Sequence, residues 1–99
     1  MVFLSFSVVA SDNPLLKAIQ HTDSAIRAPT GKTIAEHAEI ALTHANTARN
    51  DKEHKINNKH LDEGIKCLDD AINEDRNGNV DAARQAAADA LDYFIQAEK

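Results

Sequence analysis

Leu15-Leu16-Lys17-Ala18-Ile19-Gln20-His21-Thr22-Asp23-Ser24-Ala25-Ile26 and Leu61-Asp62-Glu63-Gly64-Ile65-Lys66-Cys67-Leu68-Asp69-Asp70-Ala71-Ile72 carry one pattern twice, displaced by 46 positions (15 to 61). In both stretches the apolar positions fall three and four apart, the period of one face of an α-helix. A second pair follows. His37-Ala38-Glu39-Ile40-Ala41-Leu42-Thr43-His44 aligns with Ala86-Ala87-Ala88-Asp89-Ala90-Leu91-Asp92-Tyr93, displaced by 49 (37 to 86). The three-residue difference is expected in the turn within a hairpin. A helical hairpin written twice, with short turns, predicts an all-α, up-down-up-down four-helix bundle. Apolar residues spaced by sevens suit the seams of such a bundle.

The punctuation agrees. Asn13-Pro14 is a cap residue followed by proline at the first helical position, where a missing N–H costs nothing. The first helix is expected to carry Leu15, Ile19, Thr22 and Ile26 inward and to end at Pro29. Thr33-Ile34-Ala35-Glu36 has the form of a capping box, so a second helix is expected from Thr33. Its inner face is Ile34, Ala38, Ala41, Leu42, Ala45 and Ala48, and it fades near Asn50-Asp51. A polar stretch, Asn50 to Lys59, joins the halves. The third helix is expected from about Asn58 to Glu74, with Leu61, Ile65, Leu68 and Ile72 as its stripe. Asn77-Gly78-Asn79 is a turn. The fourth runs from about Val80 to Ala97, with Val80, Ala83, Ala87, Ala90, Leu91 and Phe94 inward. Hairpin one then spans 14–50 and hairpin two 58–97, within a single bundle over 11–99.

Residues 1–10 read differently. Val2 to Val9 is apolar apart from Ser5 and Ser7, and Val8 and Ala10 fit the small-residue rule before a signal-peptidase cut. Cleavage is expected after Ala10 or Ser11, which places the mature protein in the periplasm; the competing reading is a short buried strand or helix start. The run is too short to span a bilayer, and no other segment is long and apolar enough.

Composition narrows the function. Eleven Lys and Arg stand against sixteen Asp and Glu, for a net charge of -5. That argues against nucleic acid, whose phosphates need a basic face, and against an anionic membrane surface. The only aromatics are Phe3, Phe6, Tyr93 and Phe94. A chain so poor in aromatics and so rich in Ala builds thin, close-packed helices. The lone cysteine, Cys67, has no internal partner for a disulfide, which leaves a buried filler, an intermolecular thiol or a soft metal ligand. No nucleophile elbow and no Gly-rich phosphate loop is present, and the carboxylates read as solvated helix faces, so no enzymatic activity is expected.

The five histidines are the unusual group: His21, His37, His44, His54 and His60. His37 and His44 are seven apart on one edge of the second helix, and His60 and Cys67 are seven apart on the third. His21 holds the place in the first repeat that Cys67 holds in the second. Residues seven apart are separated by about 10 Å along a helix. One ion cannot bridge them, since its ligands sit at about 2 Å. Only His60 with Glu63, and Asp51 with His54, have the three-residue spacing that chelation within one segment wants. A stronger site must be assembled between helices or between molecules. Imidazole suits Cu(II), Ni(II) and Zn(II), and Cys67 adds a soft donor for Cu(I).

Ile34-Ala35-Glu36-His37-Ala38-Glu39-Ile40-Ala41-Leu42-Thr43-His44-Ala45 resembles the small metal-binding protein family of bacterial periplasms. So does His60-Leu61-Asp62-Glu63-Gly64-Ile65-Lys66-Cys67-Leu68-Asp69-Asp70-Ala71-Ile72. The resemblance covers most of residues 14–97. It implies a monomeric four-helix bundle that binds divalent ions, copper above all, and buffers or carries them. It implies ligand roles for His37, His44, His60 and His21. Where the His-rich members continue their series, this chain has Cys67, Glu74, Asn79, Ala86 and Tyr93. The candidate metal set is therefore His37, His44, His60, Cys67, His21 and Glu63. The competing reading is a helical interaction module whose histidines are relics.

Overall fold

The computed structural model describes residues 13–98. The expected signal segment, 1–10, lies outside them. Four helices follow in order: α1 (Pro14–Arg27), α2 (Gly31–Arg49), α3 (Asn58–Arg76) and α4 (Val80–Ala97). Each packs on its neighbour in sequence, and α1 closes the ring against α4. Of the diagonals, α2 and α4 touch slightly. The molecule is an all-α four-helix bundle. Among the described residues no helix is long and apolar enough to cross a membrane.

The ends explain the boundaries. Asn13 caps α1 by accepting the N–H of Leu16 at 3.2 Å. At the start of α2 the cap differs from expectation. Thr30, not Thr33, is the N-cap; its hydroxyl accepts the Thr33 N–H while the Thr33 hydroxyl takes the Thr30 N–H, each at 3.3 Å. The reciprocal pairing is that of a capping box with threonine in place of the usual acid. Gly31 and Lys32 are thereby drawn into the helix. Asn57 caps α3 through the N–H of His60. The turn 77–79 contains Gly78 at a φ of 81°, a left-handed conformation that glycine tolerates at no steric cost.

The two turns, 28–30 and 77–79, are equally long. The three extra residues of the second half thus lie not in its turn but in the last turn of α3, Glu74 to Arg76; with Asn58 and Lys59 added at its start, α3 has 19 residues against 14 in α1. The longer α3 brings the Asp75 carboxylate over Gly31, at the N-terminus of α2. An anion there complements the orphan N–H groups of a helix start.

The core divides labour between helices. α3 contributes Leu61, Ile65, Leu68 and Ile72, whereas α2 buries Ile34 and then only alanines: Ala38, Ala41, Ala45 and Ala48. α4 likewise buries Ala83, Ala87, Ala90 and Ala97 around one large residue, Phe94. On α1 the buried positions are Leu15, Ala18, Thr22 and Ala25; Ile19 and Ile26, expected inward, sit half-buried at the rim. Leu42, Val80 and Leu91 are also half-buried. Thr22 is fully buried, and its hydroxyl donates to the Ala18 carbonyl at 2.7 Å, so the hydroxyl is not stranded. Small residues on α2 let α1 approach closely, which sets the distance across which their flanking side chains meet.

The linker is tied to the bundle. The Asn57 N–H donates to the Ala97 carbonyl at 2.9 Å, and Ile56 pairs with Glu98 in a single antiparallel bridge. At the other end, Arg84 of α4 donates from Nη1 to the carbonyls of Ile26 and Ala28, each at 2.7 Å. It satisfies acceptors that the end of α1 leaves without an intrahelical partner.

Candidate metal centre

His21 flanks the buried Thr22 on α1. His37 and His44 flank the buried Ala38 and Ala45 on α2. All three therefore fall on the rim of the α1–α2 seam, where the alanine face of α2 brings the helices together. The His21 ring lies between the other two, its centroid 5.9 Å from that of His37 and 5.5 Å from that of His44. The planes are inclined by 27° and 17°, so the rings stack. Nδ1 of His21 and Nδ1 of His37 are buried and have no hydrogen-bond partner among the described residues. A buried polar nitrogen without a partner carries a desolvation cost of about 1–3 kcal/mol.

Electrostatics disfavour charge on His21 and His44. Burial pushes the His21 imidazole below its ordinary value, and the neighbouring His44 and His37 push it further in the same direction. His44 is lowered by burial and then by the Lys17 ammonium. Neutral imidazole is the form that ligates a metal. The donor chemistry of the trio, with two orphaned ring nitrogens, thus fits a borderline divalent ion.

The geometry also sets a limit. Two nitrogens bound to one ion at about 2.0–2.1 Å are at most about 4 Å apart. Stacked rings at the observed separations face each other rather than aiming their in-plane lone pairs at a common point. Among the described residues, no three His, Cys, Asp or Glu side chains already surround one position fit for an ion. The rings must tilt toward one another to take one up.

The remaining candidates lie elsewhere. His60, in the first turn of α3, pairs through Nδ1 with Glu63 Oε1 at 2.9 Å and stacks on Tyr93 of α4, centroids 6.3 Å apart. Glu63 is spent on orienting His60. With Nδ1–H donated to the carboxylate, Nε2 keeps its lone pair, as where a carboxylate behind a ligating histidine fixes its tautomer. Cys67 is half-buried and opens on a shallow depression lined by Asp89, Asp92, Tyr93 and Gln96. Burial raises its thiol, and the carboxylates of Asp89, Asp70 and Glu63 raise it further. His60 and Cys67 are not drawn to a common point.

The linker holds a pair that the three-residue spacing pointed to. His54 Nδ1 lies 2.5 Å from Asp51 Oδ2, while Asp51 Oδ1 accepts the Glu53 N–H at 2.8 Å. The Glu53 N–H first, and the His54 ring second, hold the Asp51 carboxyl below the usual carboxylate range. Two relationships carried no sequence signal of their own: the Lys17 ammonium beside His44, and the Tyr93 ring against His60.

A bundle that seats partnerless imidazoles on the seam of two helices has the makings of a helical metal-binding module. The model of the small metal-binding protein family matches residues 1–97, and the chain belongs to that family. Membership supports metal ions, in general terms, as its ligands. No curated protein matches the chain closely enough to serve as a relative.

Proposed function

We propose that this chain is an exported monomer that buffers or carries divalent transition-metal ions, copper first, and that it catalyses no reaction. One observation carries the proposal: His21 from α1 stands between His37 and His44 from α2, with two ring nitrogens buried and unpartnered. Imidazole favours Cu(II) over Ni(II) and Zn(II) by the general order of divalent affinities. The donors are not preset around one point, and a site that must reorganise binds more weakly than a preformed one. Weak, exchangeable binding suits buffering and delivery rather than permanent retention. His60, oriented by Glu63, and the thiol of Cys67 are further donors on the second hairpin. Export rests on the apolar run Val2 to Val9 and on the small residues Val8 and Ala10 behind it.

The test is a calorimetric titration with Cu(II) at neutral pH, on the parent chain and on a variant with both His37→Ala and His44→Ala. Saturable heat in the parent that weakens in the double variant is expected. A parent that takes up no Cu(II), and whose melting temperature excess Cu(II) leaves unchanged, overturns the proposal, because a ligand bound only by the folded state must stabilise it.

A further inference from the structure

Three histidines line the α1–α2 seam, but they do not form a symmetrical trio. His37 and His44 sit on one helix seven residues apart, about 10 Å along its axis. No single ion reaches both at bond lengths near 2 Å. His21 alone neighbours each of them, at centroid distances of 5.9 and 5.5 Å. It has one ring to give. A neutral imidazole carries its proton on one ring nitrogen and a free lone pair on the other, so His21 cannot serve two ions at once.

We propose that His21 is the ligand common to two overlapping two-imidazole positions, one with His37 and one with His44, so that the first hairpin holds a single transition-metal ion that passes between them. The proposal rests on the reading of this seam as a metal site and adds to it the stoichiometry and the path. The exchange keeps one metal–nitrogen bond, to His21, while the bond to His37 breaks and that to His44 forms, with solvent filling the other coordination positions. No proton or electron is required.

The two positions are unequal. Lys17 stands one helical turn before His21 on α1, at the end of the seam where α2, running back along α1, carries His44, and its ammonium disfavours a metal cation there. At the other position both rings bury an Nδ1 with no partner. The ion therefore rests with His21 and His37 and leaves by way of His44. The second hairpin has no such path: Cys67, Ala86 and Tyr93 stand where the alignment places His21, His37 and His44.

The experiment is a Zn(II) titration of the full chain and of the single variants His21→Ala, His37→Ala and His44→Ala, followed by calorimetry and by the NMR signals of the histidine rings. Zn(II) is diamagnetic and leaves those signals visible. His21→Ala is expected to lose about one equivalent of bound Zn(II), while His37→Ala and His44→Ala keep their equivalents with weakened affinity, His37→Ala the more. In the parent, Zn(II) below one equivalent is expected to move the His37 and His44 signals together. Lys17→Gln is expected to shift that response toward His44. Two independent sites would instead cost His37→Ala and His44→Ala about one equivalent each, and that result overturns the proposal. So does movement of only one of the two signals, or unchanged stoichiometry in His21→Ala. If His21→Ala fails to fold, by circular dichroism, His21→Gln and the parent NMR titration decide. A parent that binds no ion at all overturns the metal reading beneath it, a failure distinguishable from the others because it appears before any substitution.

Discussion

The imidazole of His21 stacks on that of His44 across the α1–α2 seam, centroids 5.5 Å and planes 17° apart. Protonating one ring charges the neighbour of the other, and burial has already made the charged form costly. Both groups have folded-state values below that of the free side chain, so between the two values the unfolded chain binds more protons than the native one. Stability then rises with pH. It is fully present above about pH 6.5, the unfolded value, and is lost as the pH falls below it. The melting temperature is expected to be lower at about pH 5 than at about pH 7.5. His21→Gln is expected to flatten that dependence, because it removes a group that both His37 and His44 oppose. A scan of melting temperature against pH on the two proteins checks this, and a parent with equal melting temperatures at both ends refutes it.

Glu63 and His60 make a second, separable claim. If the carboxylate fixes the imidazole by holding Nδ1–H, then Glu63→Gln changes the tautomer balance of His60 even without metal. Carbon or nitrogen chemical shifts of the ring report it directly. Loss of such a partner typically weakens metal binding by about 10–100-fold while leaving the ligand in place. A Glu63 that ligates the ion itself would leave the metal-free tautomer as it was and remove the site. The pair is about one-third exposed on each side, so its effect on stability is expected to be small, well under 1 kcal/mol.

Much of the fold was legible because the information is local. The three- and four-residue spacing of Leu61, Ile65, Leu68 and Ile72 is enough to build α3, and Asn79 before Val80 with Ala97 at the end bounds α4 as read. The start of α2 is capped by Thr30 rather than by Thr33, although the two threonines resemble caps equally well in sequence. What decides is that Thr30 and Thr33 bond each other, a pairing no preference table encodes. The candidate site was legible only as edges. Heptad spacing put His37 and His44 on one side of α2, but the ring that meets them comes from α1. Which residue of one helix faces which of another depends on rotation about both axes, and periodicity leaves that rotation open. The same holds for Tyr93 over His60. For Asp51 and His54 the spacing was visible, yet the pairing depends on a turn in a linker without periodicity.

Arg84 predicts a stability effect far from any histidine. Its guanidinium supplies both hydrogen bonds that the carbonyls of Ile26 and Ala28 receive from α4, joining the end of the first helix to the last. Arg84→Met keeps much of the stem and removes the donors. Charge-assisted bonds of this kind contribute about 1.5–3 kcal/mol when enclosed, and these are partly open to water, so a loss of about 1–2 kcal/mol is expected. Urea denaturation should move its midpoint with an unchanged slope. An unchanged midpoint would mean that water replaces the guanidinium without cost. Zn(II) binding at the seam is expected to persist, since His21 lies a turn and a half from the carbonyls concerned.

Gly64 gives the sharpest test of the packing. It sits in the middle of α3, where replacing glycine by alanine ordinarily stabilises a helix by about 0.8–1 kcal/mol. Here a Cβ would stand 2.5 and 2.7 Å from two ring carbons of Phe94 and 3.0 Å from a third. Those are not the far end of a flexible chain: Phe94 is fully buried, and its ring is the largest side chain of the core. Overpacking of this kind costs about 1–3 kcal/mol. The steric term outweighs the helix preference, and Gly64→Ala is expected to destabilise the bundle by about 1–2 kcal/mol, or roughly 4–16 °C in a domain of this size. Gly31 offers the contrast within the same molecule. Its added Cβ would meet the carboxylate tip of half-buried Asp75, the far end of a side chain that can turn aside, and would stand 3.3 Å from Cγ2 of half-buried Val80, where a shift of a few tenths of an ångström suffices. Gly31→Ala is therefore expected to be close to neutral. Thermal melts of the two variants side by side distinguish a ring held in place from one with room to move: if Gly64→Ala melts at or above the parent, Phe94 has an alternative position and α3 and α4 are packed less closely than these contacts require.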